Sequence, residues 1–359
     1  MGTYEEELEM LTEQEQLFEQ LSGKTVMLSG ATGMIGKCII DLLMKYNDSC
    51  DSGQRIRIIG LSRNAETARQ RLEKHWLKDT FHYISCDVNT GIPECEYADY
   101  IIHAASNAHP LQYAQDSVGT ISSNIIGTKN LLDYAVYHKA KRFCFVSSVE
   151  IYGENRGDTE RFKEDYLGYI NCNTLRAGYP ESKRVGEALC NAYAQTYQLD
   201  FVIPRLSRIY GPTMLLPDSK AIAQFIKNAA KGKDIVLKSA GAQLYSYTYV
   251  LDAVLGILTV LLKGESGEAY NISDIESEAT LREIAEWLAG NHGTRVIFDK
   301  SDVMEQAGYS TATKALLDAG KITELGWRPQ THIWDGLNKT VSGLKHDSAF
   351  NSNAGNGRV

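Results

Sequence analysis

Along roughly the first 200 positions, short apolar runs with β-branched content alternate with longer stretches in which apolar side chains recur every three or four residues. The first pattern suits strands buried on both faces and the second suits amphipathic helices. The predicted strands are Lys24 to Ser29 (KTVMLS), Arg55 to Leu61 (RIRIIGL), Phe81 to Cys86, Tyr100 to His103, Arg142 to Ser147 (RFCFVS) and Asp200 to Pro204. Between them, Gly36 to Tyr46, a charged stretch ending at Trp76, Asn124 to Tyr137 and Tyr179 to about Tyr197 carry helical spacing. This alternation predicts an α/β protein, a Rossmann-type doubly wound parallel sheet with helices on both faces.

Ahead of the first strand, Leu8, Leu11, Leu17, Phe18 and Leu21 lie among Glu and Gln at helical spacing, which predicts an added helix docked by its apolar face. Past Pro204 the pattern loosens into PRLSRIYGPTMLLPD, a Pro- and Gly-containing loop of the kind that carries ligand contacts beside a rigid sheet. Helical segments near 220–231 and 280–290 then predict a smaller C-terminal lobe that binds substrate. The expected division is an N-terminal helical extension (1–22), a dinucleotide-binding domain (23–203 and 234–262), a substrate-binding lobe (204–233 and 263–345) and a polar, disordered tail (346–359).

With 359 residues, 43% of them hydrophobic, the chain can bury a large core. A net charge of −8 offers no basic field for nucleic acid or an anionic membrane, so an anionic ligand has to be held locally. No apolar stretch of about 18 residues occurs, and the start MGTYEEELEM lacks the basic-then-apolar character of a secretory signal; a cytoplasmic location is expected. The seven cysteines, Cys95 among them, follow no CxxC or metal-ligand spacing, and the eight histidines form no HExxH; no metal is expected.

The chemistry starts at GATGMIG, between the first strand and the first helix. Gly30, Gly33 and Gly36 let the backbone turn and approach a pyrophosphate, with Met34 and Ile35 opening the helix whose N-terminus meets its charge. Asp87, followed by Val88, ends the third strand, where a carboxylate can accept from an adenine amino group. Ala104, Ala105 and Ser106 follow the fourth strand, where small residues admit the nicotinamide ribose. The second strand ends in Ser62 and Arg63 without a carboxylate to take a ribose 2′-hydroxyl, and an arginine there can pair with a 2′-phosphate. NAD is the expected cofactor, with NADP as the alternative.

Tyr179 and Lys183 stand in YPESK at i and i+4, on one face of a helix. An ordinary tyrosine ionises near pH ~10, so a neighbouring ammonium has to favour the phenolate if Tyr179 is to work as a base near neutrality. Ser147 and Ser148, ending the fifth strand, place a hydroxyl that can share a proton with the same substrate oxygen.

Over about residues 23–340 the sequence resembles the extended short-chain dehydrogenase family of nucleotide-sugar epimerases, dehydratases and decarboxylases, through GATGMIG, HAAS, NIIGTKNLL, SSVEIYG, YPESK, RIYGP and YTYVLDA. The resemblance implies that Tyr179 is the base and that Lys183 orients the nicotinamide ribose. It implies further that Ser148 polarises the sugar C4 hydroxyl, that Asn124 belongs to a helix supporting the cofactor site, and that the protein is a homodimer through the helices near 124–137 and 180–197. The cofactor would take a hydride from C4 of a nucleotide-diphosphate sugar and usually return it.

The branch of the family turns on Glu150. The 4,6-dehydratases resemble Thr-Asp-Glu where this chain has Ser148, Val149, Glu150, so the acid is replaced by an apolar side chain while a base is kept. Glu150 can serve as a C5 base provided that burial raises its pKa. The stretch from Arg176 to Glu187 (RAGYPESKRVGE) looks most like the UDP-glucuronate decarboxylases, but their QTRSF corresponds to Gln243 to Tyr247, which puts Tyr245 in place of an arginine that touches substrate. Arg208 stands where those enzymes carry Asn and is expected to take over the anion contact, with Lys220 on the diphosphate and Arg176 also in the substrate site. Epimerisation or elimination after C4 oxidation is the leading expectation and decarboxylation the alternative. A ketone or alcohol reductase acting on a small substrate is the alternative of another class.

Overall fold

The computed structural model describes residues 3–13, 15–94, 97–106, 115–299 and 312–346. Cys95 and all but the first residue of the expected tail lie outside them. Parallel strands β1 (Thr25–Ser29), β2 (Arg57–Ser62), β3 (Phe81–Ser85), β4 (Tyr100–His103), β5 (Arg142–Phe145), β6 (Ser147–Ser148) and β7 (Phe201–Leu206) form the main sheet with a late strand, β11 (Ala269–Ile272). The order is β11-β7-β5-β4-β1-β2-β3, with β6 also paired to β7. Every residue of β1 is buried, as expected of a strand with helices on both sides. Helices Met34–Asn47, Ser117–Tyr137, Gly178–Tyr197 and Val250–Lys263 supply those layers. Val250–Lys263 is buried along nearly its whole length.

The expected division into domains needs two corrections. β11, assigned to the lobe, adds to the edge of the main sheet along β7. Conversely, β9 (Ile235–Leu237) and β10 (Leu244–Tyr249), assigned to the dinucleotide domain, pair inside the lobe. β9 joins β13 (Val296–Phe298), while β10 joins β8 (Arg208–Tyr210), β12 (Glu278–Thr280) and β14 (Lys314–Ala315). These strands are two to six residues long and pair with partners far away in sequence, so local pattern cannot assign them to a sheet.

The N-terminal helix Tyr4–Thr12 begins at a capping box, with Thr3 and Glu6 bonding each other's backbone, and buries Leu8 and Leu11. Polar contacts lock it in place. The Tyr4 hydroxyl donates to Asp41, which also holds Lys37 at 2.6 Å and His75 at 2.9 Å, and Glu7 accepts from the Tyr249 hydroxyl and the Lys339 ammonium.

Candidate active site

At the carboxyl ends of β1 and β4, where the strand order reverses, a cavity of about 1130 Å³ opens between sheet and lobe. Its sheet end has the form of a dinucleotide cradle. Gly30 takes φ +78, and a Cβ there would lie 2.8 Å from the Ala104 carbonyl; one on Gly36 would lie 2.2 Å from the Gly30 oxygen. Only glycine permits this approach of turn, strand end and helix. Gly33 caps the helix with extended backbone and no side-chain bond, so the first N–H groups, those of Met34, Ile35 and Gly36, lack intrahelical partners where these residues line the cavity. Asp87, Val88, Ala104, Ala105 and Ser106 line the same end, and the Ser106 hydroxyl is buried without a partner among the described residues. Bare backbone at the turn, open helix N–H groups and an unsatisfied hydroxyl fit a dinucleotide. Arg63 stands exposed at the rim, the position that the NADP alternative requires.

Asn124 supports the site from behind and does not reach into it. It is fully buried and does not line the cavity; its amide donates to the Ser182 hydroxyl at 2.9 Å, tying helix Ser117–Tyr137 to helix Gly178–Tyr197. Its place is behind the wall because the helix turns Ser123, not Asn124, to the cavity.

Ser148, Tyr179 and Lys183 converge in the middle of the cavity. The Ser148 and Tyr179 hydroxyls are hydrogen-bonded, and the Glu150 N–H donates to the Ser148 oxygen at 3.3 Å. Lys183 is buried, donates to the Val146 carbonyl at 2.8 Å and lies 4.8 Å over the Phe145 ring. Burial brings its pKa down to about 8. Burial also pushes the Tyr179 phenol up to about 12, against the Ser148 hydrogen bond and the Arg176 charge, which lower it. The expected help from the lysine is therefore absent at this stage: the ammonium is engaged by the Val146 carbonyl, and the nearby cation that acts on Tyr179 is Arg176.

Glu150 departs from expectation as well. Its carboxylate lies 2.6 Å from Arg176 and 3.5 Å from Arg208. Burial alone would raise its pKa, but these guanidiniums, aided by Lys220, hold it below the usual carboxylate range. The condition attached to a C5 base is thus reversed. Tyr245 lines the cavity; its hydroxyl donates to the Ala312 carbonyl at 2.8 Å, and its ring carries the Arg208 guanidinium 3.7 Å from the centroid. Lys220 lines the cavity, 3.6 Å from Asp218.

Beneath these groups lies a buried polar network that sequence reasoning missed. Ser147 donates to Glu187 at 2.5 Å, and Glu187 takes both arms of Arg205, which also reaches the Tyr152 hydroxyl and the Glu164 carbonyl. Glu187 stands at i+4 from Lys183, and its charge raises the lysine's pKa. That spacing was the available signal. His103 of the HAAS motif is locked between Ser29 at 2.7 Å and Thr128 at 3.0 Å; burial brings its pKa down to about 3, so it is a neutral brace between β1 and β4. Among the described residues no group of three or more His, Cys, Asp or Glu side chains could hold a metal ion, and no helix is long and apolar enough to cross a membrane.

A doubly wound sheet whose glycine turn opens on the same cavity as a Ser–Tyr–Lys set defines a dinucleotide-using enzyme. Residues 26–273 match the model of the NAD dependent epimerase/dehydratase family, and the chain belongs to that family. It is 28% identical to UDP-glucuronic acid decarboxylase 1 of Xenopus tropicalis over 333 residues, 92% of this chain and 74% of that protein. To UDP-glucuronic acid decarboxylase 6 of Arabidopsis thaliana it is 29% identical over 320 residues, 88% of this chain and 87% of that protein. The structure of a dTDP-glucose 4,6-dehydratase from Streptomyces venezuelae, solved with NAD bound, superposes with a TM-score of 0.77 at 26% identity, covering 91% of this chain and 98% of that one. The chain is thus an enzyme of the nucleotide-sugar epimerase, dehydratase and decarboxylase kind, and none of these matches favours the small-substrate reductase.

Proposed function

We propose that the enzyme oxidises C4 of a nucleotide-diphosphate sugar, that NAD is its cofactor, and that the sugar is a uronate which then loses its carboxyl group. The observation that carries this reading is the cationic corner beside the Ser148–Tyr179 pair, where Arg176, Arg208 and Lys220 surround the carboxylate of Glu150. With Asp218 3.6 Å from Lys220, two carboxylates face three cations, so net positive charge is left for the acidic groups of the substrate; a neutral hexose would need less of it. The likeness to the two decarboxylases supports the same choice. NAD, and not NADP, is supported by the cofactor of the S. venezuelae dehydratase.

The glycine turn from Gly30 to Gly36 would hold NAD, which would supply hydride acceptance from C4 and its return to the same carbon, so that the reaction has no net redox. Tyr179 takes the C4 hydroxyl proton, and Ser148 holds that oxygen by a hydrogen bond. Lys183, fixed on the Val146 carbonyl, would hold the cofactor ribose. In the 4-keto uronate the carboxylate stands β to the ketone. The C5–C6 bond breaks with its electron pair delocalised onto the C4 oxygen, carbon dioxide leaves, and a proton is then added at C5. Elimination at C6 has no acid here, because Val149 offers only a buried apolar side chain. A second reading, C4 epimerisation, is favoured by Tyr245, which leaves no guanidinium on β10 where the resembling decarboxylases place one. Mass spectrometry after incubation with UDP-glucuronate tests both. Loss of one carbon dioxide is the expected result, an unchanged mass with inverted C4 on NMR favours the second reading, and loss of water overturns both.

The enzyme works as a homodimer. Helices Ser117–Tyr137 and Gly178–Tyr197 pack together and leave Val118 74%, Ile126 45% and Tyr197 55% exposed, an apolar strip that a second copy would cover. Light scattering should give twice the chain mass of 39.9 kDa, and Val118→Lys with Ile126→Lys should give a monomer. A monomeric wild type ends the dimer proposal.

A further inference from the structure

Arg176 and Arg208 divide the work around Glu150 unequally. Arg176 meets the carboxylate at 2.6 Å, within charge-assisted hydrogen-bond range, whereas Arg208 reaches its other oxygen only at 3.5 Å. Its closer support is the Tyr245 ring, 3.7 Å below the guanidinium carbon. That ring is itself fixed: Tyr245 is 4% exposed and its hydroxyl is tethered to the Ala312 carbonyl. Beside it, Tyr247 is the register partner of Arg208 across the parallel β8–β10 pair, so both side chains leave the sheet on the same face. Tyr247 is fully buried, lines the cavity, and its hydroxyl has no hydrogen-bond partner among the described residues. A buried hydroxyl left unsatisfied carries a desolvation penalty, and one kept next to a guanidinium points to an acceptor oxygen supplied by a ligand.

We propose that Tyr245 is a positioning residue that holds Arg208 across the cavity, so that Arg208 and the Tyr247 hydroxyl together meet an anionic oxygen of the substrate while Arg176 attends to Glu150. This rests on the nucleotide-sugar reading above and names the groups that would recognise the acidic part of that substrate. The oxygen belongs either to the sugar carboxylate or to the diphosphate, which offer the same chemistry to these donors.

Titration calorimetry on the NAD-loaded enzyme separates the possibilities, with UDP-glucuronate, UDP-glucose and UDP as probes. Tyr245→Leu removes the platform and should weaken UDP-glucuronate by about 5- to 30-fold, the span of a desolvated cation–π contact. Tyr245→Phe keeps the ring and should recover most of that loss. Arg208→Gln should weaken binding at least as much, and adding Tyr245→Leu to it should cost little more, because both changes remove one interaction. In kinetics the Leu variant should raise KM and leave kcat close to wild type, the pattern of a binding contact. A loss confined to UDP-glucuronate assigns the contact to the carboxylate; an equal loss for all three probes assigns it to the diphosphate. The inference is overturned if Tyr245→Leu binds like wild type, if Phe is as damaging as Leu, or if the two losses add fully. A wild type that binds none of the probes removes the substrate reading and this inference together.

Discussion

Replacing Tyr179 by phenylalanine lowers turnover by about two to four orders of magnitude, the range for a positioned acid or base, and leaves fold and NAD content unchanged. The ring is buried and its packing is retained; only the hydroxyl that pairs with Ser148 is lost. The pH profile gives the signature. In the wild type, kcat/KM climbs with pH as the phenol ionises, from a starting point that burial has pushed up to about 12 and that a bound, cationic nicotinamide brings down. The residual activity of Tyr179→Phe lacks that limb. Turnover within a factor of ten of wild type, or an unchanged profile, would remove Tyr179 from the mechanism.

The second large effect is on stability. Arg205→Leu leaves the Glu187 carboxylate buried without its bidentate partner, the two side chains being only 12% and 11% exposed, and should cost about 3–5 kcal/mol. Chemical denaturation measures it. Pairing Arg205→Leu with Glu187→Leu should return much of the loss, since two apolar groups need no counter-charge. The double variant should still be impaired in activity for a different reason. With the Glu187 charge gone, the larger of the effects that raise the Lys183 pKa is gone too, so the ammonium loses its proton below the present value of about 8, and the loss of activity on raising the pH sets in earlier than in the wild type. A double variant as unstable as Arg205→Leu would mean that the network's remaining bonds, and not the ion pair, carry the stability.

What could be read from the sequence follows the range of the interactions involved. The parallel strands and the glycine turn are written locally, in runs of four to six residues and in spacings along one helix, and β1 to β5 lie within a residue or two of their predicted places. Tyr179 and Lys183 share a helix face by the same local logic. The state of Glu150 is not local, because it depends on arginines 26 and 58 positions away that converge only through the fold. For the same reason β11 cannot be assigned to the main sheet from its own residues, as its register with β7 is set by the helix Val250–Lys263 returning the chain across the sheet. Asn124 shows the limit within a single helix: the periodicity identifies the helix, but a rotation of one position decides whether Ser123 or Asn124 faces the cofactor end.

The helix Tyr4–Thr12 lies outside the stretch that matches the family model, which starts at Val26. Removing that helix would uncouple three distant parts of the fold at once. Asp41 would lose the Tyr4 hydroxyl, Tyr249 at the end of β10 would lose its acceptor, and Lys339 would lose its counter-charge, while the surface under Leu8 and Leu11 became wet. Since β10 also carries Tyr245 and Tyr247, this helix acts as a brace for the substrate wall: a segment outside the cavity lining helps set the distance across which the lobe grips its ligand.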